Sequence, residues 1–136
     1  MPTDVTTDDV PSWLVDALTG LAAGDIDAWL GAFAEDGVHE FPFATAREVR
    51  RLEGKEAMRA HLTRVAGGVR FGSLDDLRVH ATRGGLVVEA EGHHEDAATG
   101  APFDLRYVWI ITHRAGRITL LRDYMGPRRP RRTEEV

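Results

Sequence analysis

The sequence predicts a single domain of the α+β class, in which helices come first and a mainly antiparallel sheet follows. Apolar residues recur at helical spacing up to Val65, and after Gly67-Gly68 the period of the pattern changes to two. The connections between the later runs are short and contain glycine, which favours hairpins. A chain of 136 residues with 43% hydrophobic side chains suits one core. We therefore expect three helices on one face of a strongly curved sheet that encloses a conical pocket.

The first half of the chain carries the helical patterns. Asp8 and Asp9 precede Pro11, and a carboxylate cap followed by proline is typical of a helix start. This helix runs to Gly24, with an apolar face of Trp13, Leu14, Ala17, Leu18 and Leu21. A short second helix begins at Asp25, with Ile26, Trp29, Leu30 and Phe33 on one face. A strand over Val38–Phe43 and a polar loop 44–53 lead to a third helix over Gly54–Val65, whose stripe is Ala57, Met58, His61, Leu62 and Val65.

The second half is predicted to form the sheet. The expected strands are Val69–Thr82, Gly85–Glu95, Pro102–Arg114 and Arg117–Met125. Pro127 ends the pattern, so we place the domain at residues 8–127, with 1–7 and 128–136 as flexible termini.

Composition excludes several classes of function. The net charge of −5 gives no reason to expect nucleic acid as a partner. The absence of cysteine excludes disulfides, thiolate catalysis and zinc–sulfur sites. The longest strongly apolar run, Tyr107–Ile111, is too short to cross a bilayer, and the acidic, polar N-terminus is unlike a signal peptide. We expect a cytoplasmic protein.

An acidic residue near the end of the last strand is the main candidate for chemistry. Alternation places Thr119, Leu121, Asp123 and Met125 on one face. If that face lines a cavity, the Asp123 carboxyl is held among hydrocarbon, where it can both take and give a proton. The alternative is a structural ion pair between Asp123 and an arginine at the strand end.

Three stretches of the chain carry a family resemblance. They are Gly24–Trp29 with Phe33–Val38, then Gly54–Leu62, and Gly116–Ile118 with Arg122–Tyr124. Over Trp13–Pro127 the chain resembles the NTF2-like superfamily, in particular SnoaL-like polyketide cyclases and phenazine-biosynthesis proteins. Ketosteroid isomerases and limonene epoxide hydrolases are relatives within the same superfamily. The resemblance implies a cone-shaped fold around a pocket, and it leaves the reaction open.

The residues that two of these families need are largely missing. The base, the oxyanion tyrosine and the protonated aspartate of ketosteroid isomerases fall on Phe41, Ala17 and Val108, which excludes that mechanism. Limonene epoxide hydrolases match at Asp123. Their Arg-x-Asp pair and their water-holding Tyr and Asn fall on Ala90, Gly92, His39 and Phe41.

SnoaL-like cyclases and phenazine-pathway proteins resemble the chain more closely. Both use an acidic residue in the last strand, which Asp123 matches, and the phenazine proteins also carry a histidine that His61 matches. A serine one turn later in those proteins is Val65 here. The resemblance therefore implies Asp123 as general acid/base and His61 as its partner.

The expected pocket is mostly apolar, with a few convergent polar groups, and it suits a flat hydrophobic ligand. The correspondence with relatives and strand alternation give its lining as Trp13, Ala17, Trp29, Phe33, His39, Phe41, His61, Arg106, Val108, Leu121 and Asp123. Arg106 or His39 is a candidate stabiliser of oxyanion charge. Two alternatives remain open: His61 is a core residue, or Arg106 forms a structural bridge with Asp123.

Two further predictions concern the sheet. Neighbouring residues on a strand point to opposite faces, so His93 and His94 cannot easily share an ion, and we assign no metal and no cofactor. The reverse face of the fourth strand, Leu105, Tyr107, Trp109 and Ile111, is expected to join a homodimer through the outer sheet face.

Three functions follow as hypotheses. The first is a cofactor-independent enzyme of secondary metabolism that moves a proton on a hydrophobic carbonyl compound, by cyclisation, condensation or isomerisation. The second is a non-catalytic ligand-binding protein, and the third is an epoxide hydrolase.

Overall fold

The computed structural model describes residues 10–131 and contains three helices and an eight-stranded sheet. The helices are α1 (Ser12–Ala22), α2 (Ile26–Leu30) and α3 (Lys55–Gly68). The strands are β1 (Phe33–Glu40), β2 (Arg51–Glu53), β3 (Val69–Arg70), β4 (Leu74–Thr82), β5 (Gly85–Asp96), β6 (Pro102–Arg114), β7 (Arg117–Met125) and β8 (Arg129–Pro130). The helices lie on a strongly curled half-barrel sheet, so the predicted α+β class is confirmed. The predicted Asp8–Asp9 cap and the segments 1–7 and 132–136 lie outside the described residues.

The helices begin close to the residues that the sequence indicates. The Asp25 side chain accepts a hydrogen bond of 3.1 Å from the backbone N–H of Ala28, as an N-cap of α2 should. Pro11 directly precedes α1, and Gly54 directly precedes α3 with a φ of +86°. Phe33 does not continue α2 as the pattern predicted, because it begins β1.

The sheet has the order β2-β1-β7-β6-β5, with β3 and β4 both paired to the far edge of β5. The β1–β7 pair is parallel, and the other pairs within residues 10–131 are antiparallel. Three predictions of extent were wrong. The strand expected over Val38–Phe43 is β1, which begins earlier, at Phe33, and ends at Glu40. The strand expected over Val69–Thr82 is interrupted between β3 and β4, and the loop expected over 44–53 contains β2.

A bulge in the β6–β7 hairpin sets which side chains point inward. The two-residue turn Ala115-Gly116 pairs Arg114 with Arg117, and a regular ladder from that turn would pair Val108 with Asp123. The register shifts between Thr112 and His113, and as a result Trp109 lies opposite Asp123. Because side chains alternate, this single extra residue exchanges the two faces of β6 relative to β7.

The chain after β7 stays in contact with the sheet up to residue 131 and adds a short strand to it. Strand β8 pairs with β6 through Phe103↔Pro130 and Asp104↔Arg129. Arg128 lies 4.4 Å above the ring centroid of Phe103, and Arg131 donates to Asp104 over 2.8 Å. The prediction that residues 128–136 form a flexible terminus is therefore wrong for residues 128–131.

The core lies between the helices and the part of the curled sheet that packs directly against them. Its largest fully buried side chains are Phe33, Leu14, Met58, Ile118, Leu121 and Val88. Beyond this core, the inner face of the sheet is left open to a cavity.

Candidate active site

A cavity extends from the inner face of the sheet to the surface in two adjoining parts. The inner chamber has a volume of about 130 Å³ and the outer chamber about 750 Å³. They adjoin, since they share eight lining residues: Phe41, His61, Val65, Phe71, His94, Tyr107, Asp123 and Met125. The inner chamber is completed by Leu18, Leu21, Ala22, Trp29, His39, Leu62, Gly72, Leu74 and Trp109. The lining is mostly apolar, with polar atoms concentrated on a few side chains.

The Asp123 carboxylate lies at the junction of the two chambers. It is 8% exposed, and its two oxygens have different partners. Oδ1 accepts a hydrogen bond of 2.9 Å from the indole Nε1–H of Trp109, and Oδ2 lies 3.0 Å from His39 Nε2. These two N–H donors offset the cost of burying a negative charge, and each oxygen keeps lone pairs for a further partner.

His39 is the imidazole partner of Asp123. It is 5% exposed on β1, where its backbone pairs with Leu121 of β7. Its ring is stacked 4.2 Å from the Phe41 ring and 6.3 Å from the Phe33 ring, centroid to centroid. Packing against these aromatic rings restricts the imidazole to the orientation in which Nε2 faces the carboxylate.

His61 lines both chambers from α3, but it makes no recorded hydrogen bond to Asp123. Its ring lies 5.4 Å from that of Phe41, and its buried Nδ1 has no hydrogen-bond partner among the described residues. Burial lowers the pKa of His61, and the neighbouring His39 and Arg64 lower it further. The ring is therefore neutral near pH 7. The expected Asp123–His61 pair is replaced by an Asp123–His39 pair.

Arg106 and Val108 lie on the outer face of the sheet, so their predicted place in the lining was wrong. The β6–β7 bulge turns both outward. Arg106 instead donates to Glu91 over 3.1 Å and to Asp76 over 2.9 Å. The alternative of a structural Arg106–Asp123 bridge is wrong for the same reason.

The remaining predicted lining residues lie behind or beside the cavity. Ala17, Phe33 and Leu121 are fully buried in the core rather than on the cavity wall. Trp13 is half-buried and packs edge-on against His113, with ring centroids 5.4 Å apart. Of the eleven residues predicted in the lining, the inner chamber contains Trp29, His39, Phe41, His61 and Asp123.

The apolar row of β6 faces the interior, contrary to the prediction that it forms a dimer surface. Tyr107, Trp109 and Ile111 are 7%, 4% and 3% exposed, and Leu105 lines the outer chamber. Sequence reasoning missed Tyr107 and Trp109 as site residues. Pairing with β7 could not have found them from the sequence, because a regular ladder from the Ala115-Gly116 turn places Val108 rather than Trp109 opposite Asp123.

His93 and His94 point to opposite faces, as alternation predicts. His94 lines both chambers, and its Nε2 lies 2.8 Å from the Tyr107 hydroxyl. Burial lowers the pKa of His94 to about 4. On the outside, hydrogen bonding to Asp104 raises the pKa of His93. Within residues 10–131 we find no group of three or more His, Asp or Glu side chains that could hold a metal ion.

Comparison with known proteins places this architecture in a family. Residues 14–121 match the SnoaL-like domain, and the chain belongs to that family. A PhzA/B-like protein of Pseudomonas aeruginosa is 32% identical over 120 residues, covering 85% of this chain and 83% of its own.

Solved structures agree with this assignment. A proposed isomerase from Bacillus subtilis superposes with a TM-score of 0.79 at 25% identity, covering 85% of each chain. A proposed polyketide cyclase from Xanthomonas campestris has a TM-score of 0.69 at 24% identity, covering 83% of this chain and 87% of its own. None of the helices in the described part of the chain has the length and apolar character needed to span a membrane.

Proposed function

We propose that the protein catalyses cofactor-independent proton transfer on a hydrophobic, carbonyl-bearing small molecule, with Asp123 as general acid/base. The observation that carries the proposal is the position of the Asp123 carboxylate, which is buried at the junction of two apolar chambers yet lines both. A carboxylate in this position is poorly solvated when a ligand is bound. Because little water competes for it, the carboxylate is a more effective base toward a proton on the carbon next to a carbonyl.

The neighbours of Asp123 suit a group that gains and loses a proton. The N–H groups of Trp109 and His39 stabilise the carboxylate before a substrate binds. When Asp123 takes a proton, His39 remains hydrogen-bonded and fixes the orientation of the resulting acid. The Asp123–His39 pair can therefore return the proton to another carbon or oxygen of the same substrate, as cyclisation, condensation and isomerisation all require.

Two side chains that line the inner chamber each carry a buried nitrogen without a partner. Trp29 Nε1 and His61 Nδ1 are buried and have no hydrogen-bond partner within residues 10–131. Buried polar atoms of this kind are uncommon in proteins unless something else binds them. We assign His61, which the family resemblance implied as a partner of Asp123, to contact with a polar atom of the substrate.

The alternatives differ in what they require of the cavity. Epoxide hydrolysis of the limonene type needs further charged residues at positions 90 and 92, and these are Ala90 and Gly92 on the inner face of β5. A non-catalytic binding protein needs only the apolar lining. The PhzA/B-like relative and the proposed polyketide cyclase support an enzyme of secondary metabolism.

A direct test is hydrogen–deuterium exchange of a bicyclic ketone. 2-Tetralone in deuterated buffer is incubated with the protein, and loss of its α-proton signals is followed by NMR. We expect catalysed exchange, and we expect Asp123→Asn to slow it by at least about 100-fold, the usual contribution of a general base. His39→Gln should also slow the exchange, by a smaller factor, because the carboxylate loses a hydrogen-bond donor.

The chain offers a matched control for this test. Asp104 also bonds a histidine, with Oδ1 2.8 Å from His93 Nδ1, but on the outer face. Asp104→Asn should leave exchange unchanged. Ketone binding without catalysed exchange would favour the binding-protein alternative.

We also propose that two copies of the chain associate through the outer sheet face. The outer strip of Val87, Val108, Ile110 and Leu120 takes the place of the row predicted from the sequence. Its members are half-buried, apart from Ile110, which is 36% exposed, and they lie on adjacent strands. A partly exposed apolar strip on a sheet is a common basis for a twofold interface.

A further inference from the structure

A second buried polar pair faces the cavity beside Asp123. His94 Nε2 lies 2.8 Å from Tyr107 Oη, and both side chains line both chambers. His94 is 3% exposed and Tyr107 is 7% exposed. Tyr107 and Trp109 occupy successive inward positions of β6, so Tyr107 is a diagonal neighbour of Asp123 on the same face.

The backbone fixes which nitrogen of His94 carries its proton. The N–H of Gly72 donates to His94 Nδ1 over 3.1 Å, so Nδ1 holds a lone pair. Because burial lowers the pKa of His94 to about 4, the ring is neutral near pH 7 and its one proton is on Nε2. That proton points at Tyr107, so the histidine is the donor and the phenol oxygen is the acceptor.

The hydroxyl proton of Tyr107 is then free to point into the cavity. Its oxygen accepts from His94, and Oη makes no other recorded hydrogen bond to the residues that the structure describes. Burial and the negative charge of Asp123 raise the pKa of Tyr107, so the phenol keeps its proton. The Tyr107 hydroxyl is therefore a buried donor that has no acceptor within residues 10–131.

The surrounding backbone is shaped to hold this pair. A Cβ on Gly92 would lie 2.5 Å from His94 Nε2 and 2.7 Å from Tyr107 Cε2, which is too close for either ring to keep its place. A Cβ on Gly72 would lie 1.9 Å from the carbonyl oxygen of His93. Only glycine at both positions lets the Gly72 N–H reach His94 and lets the two rings meet.

We propose that the Tyr107 hydroxyl binds the carbonyl oxygen of the substrate and stabilises the negative charge that develops there, with His94 as its positioning residue. This inference rests on the proposed function. In the proton-transfer step, the α C–H bond breaks and its proton goes to the Asp123 carboxylate. The C–H electron pair forms a C=C bond, and the π electrons of the carbonyl move to oxygen. Tyr107 keeps its own proton throughout and donates a hydrogen bond that strengthens as the oxygen becomes anionic.

The substrate class follows from this arrangement. The ligand has an apolar body and a ketone or similar carbonyl whose oxygen reaches Tyr107 while an adjacent C–H faces Asp123. A hydrocarbon of the same shape leaves the phenol donor unsatisfied, and a site built around a hydrogen bond discriminates against such a ligand.

The test compares 2-tetralone with tetralin, which has the same two rings without the oxygen. We expect wild-type protein to prefer the ketone. Tyr107→Phe should weaken ketone binding by about five- to tenfold, as expected for one hydrogen bond, and leave tetralin binding unchanged. The infrared carbonyl band of bound 2-tetralone should lie at lower frequency in wild type than in Tyr107→Phe, and His94→Phe should reverse part of that shift. Tyr107→Phe should also slow α-proton exchange by about 100-fold.

The infrared measurement separates this inference from the proposed function, because it needs no turnover. Asp123→Asn should keep the carbonyl band shift while it loses exchange. If Tyr107→Phe does not fold, the position of the carbonyl band of 2-tetralone bound to the wild-type protein still tests the proposal. A bound carbonyl band at its position in hydrocarbon solvent, or no preference for the ketone over tetralin, would overturn the proposal.

Discussion

At the scale of single residues, the histidines show how strongly position determines chemistry. His39, His61 and His94 all line the inner chamber, yet they differ in their partners. His39 has a carboxylate, His94 has a phenol and a backbone amide, and His61 Nδ1 has no partner among the described residues. The sequence pattern placed His61 on an inward stripe, but it could not predict that His39 is the imidazole that lies 3.0 Å from Asp123.

The low pKa of His94 predicts a pH dependence of stability. His94 titrates at about 4 when folded, against 6.5 for an unperturbed histidine. Between these pH values the unfolded chain binds a proton that the folded chain does not. Stability from this group is therefore complete above about pH 6.5 and is lost as the pH falls toward 4, by up to about 3 kcal/mol.

Two measurements check this prediction. The NMR signal of His94 Cε1–H should report a neutral ring down to about pH 4. Denaturant unfolding should show that the free energy of unfolding falls less steeply with decreasing pH in His94→Phe than in wild type. A His94 signal that titrates at the unperturbed value would contradict the prediction.

At the scale of elements, the junction between β3 and β4 depends on close backbone contact. A side chain at Gly72 would place Cβ 1.9 Å from the backbone oxygen of His93, and neither atom belongs to a flexible side chain. We expect Gly72→Ala to lower the free energy of unfolding by about 1–3 kcal/mol, because the strands must separate to admit a methyl group.

Gly67 provides the matched control for this substitution. It lies in α3, and a Cβ there would meet nothing within 4 Å. Gly67→Ala should be neutral or stabilising by up to about 1 kcal/mol, since alanine loses less backbone entropy in a helix. Equal effects of the two substitutions in denaturant unfolding would contradict the assigned role of Gly72.

The elements also show how far sequence reasoning reaches. The helices, the hairpins and the grouping of Asp123 with Leu121 on one face follow from periodicity and turns, which are local signals. The face of β6 does not, because it depends on a bulge beside Thr112 that no residue type in the hairpin announces. That shift removed Arg106 and Val108 from the predicted site and brought in Tyr107 and Trp109. The break at Gly72 and the pairing of β8 likewise depend on contacts between segments distant in sequence.

At the scale of the whole molecule, the proposed association through the outer strip can be tested by sedimentation. We expect a dimer at micromolar concentration and expect Ile110→Arg to make it a monomer, because a charge would be buried without a partner. Val15→Arg is the control, since Val15 is an equally exposed apolar residue (39%) on α1, away from the strip. Wild-type protein that sediments as a monomer would contradict the association.

The dipeptide His93-His94 shows how different the electrostatic environments on the two faces of β5 are. Its first ring, held by Asp104 on the outside, has a raised pKa, while the second, a single residue along, has a pKa of about 4 inside the cavity. Near pH 6, the imidazole on the outer face is therefore protonated, whereas the imidazole on the inner face is neutral. One step along β5 therefore separates an outer face that favours a charged imidazole from an inner face that disfavours one.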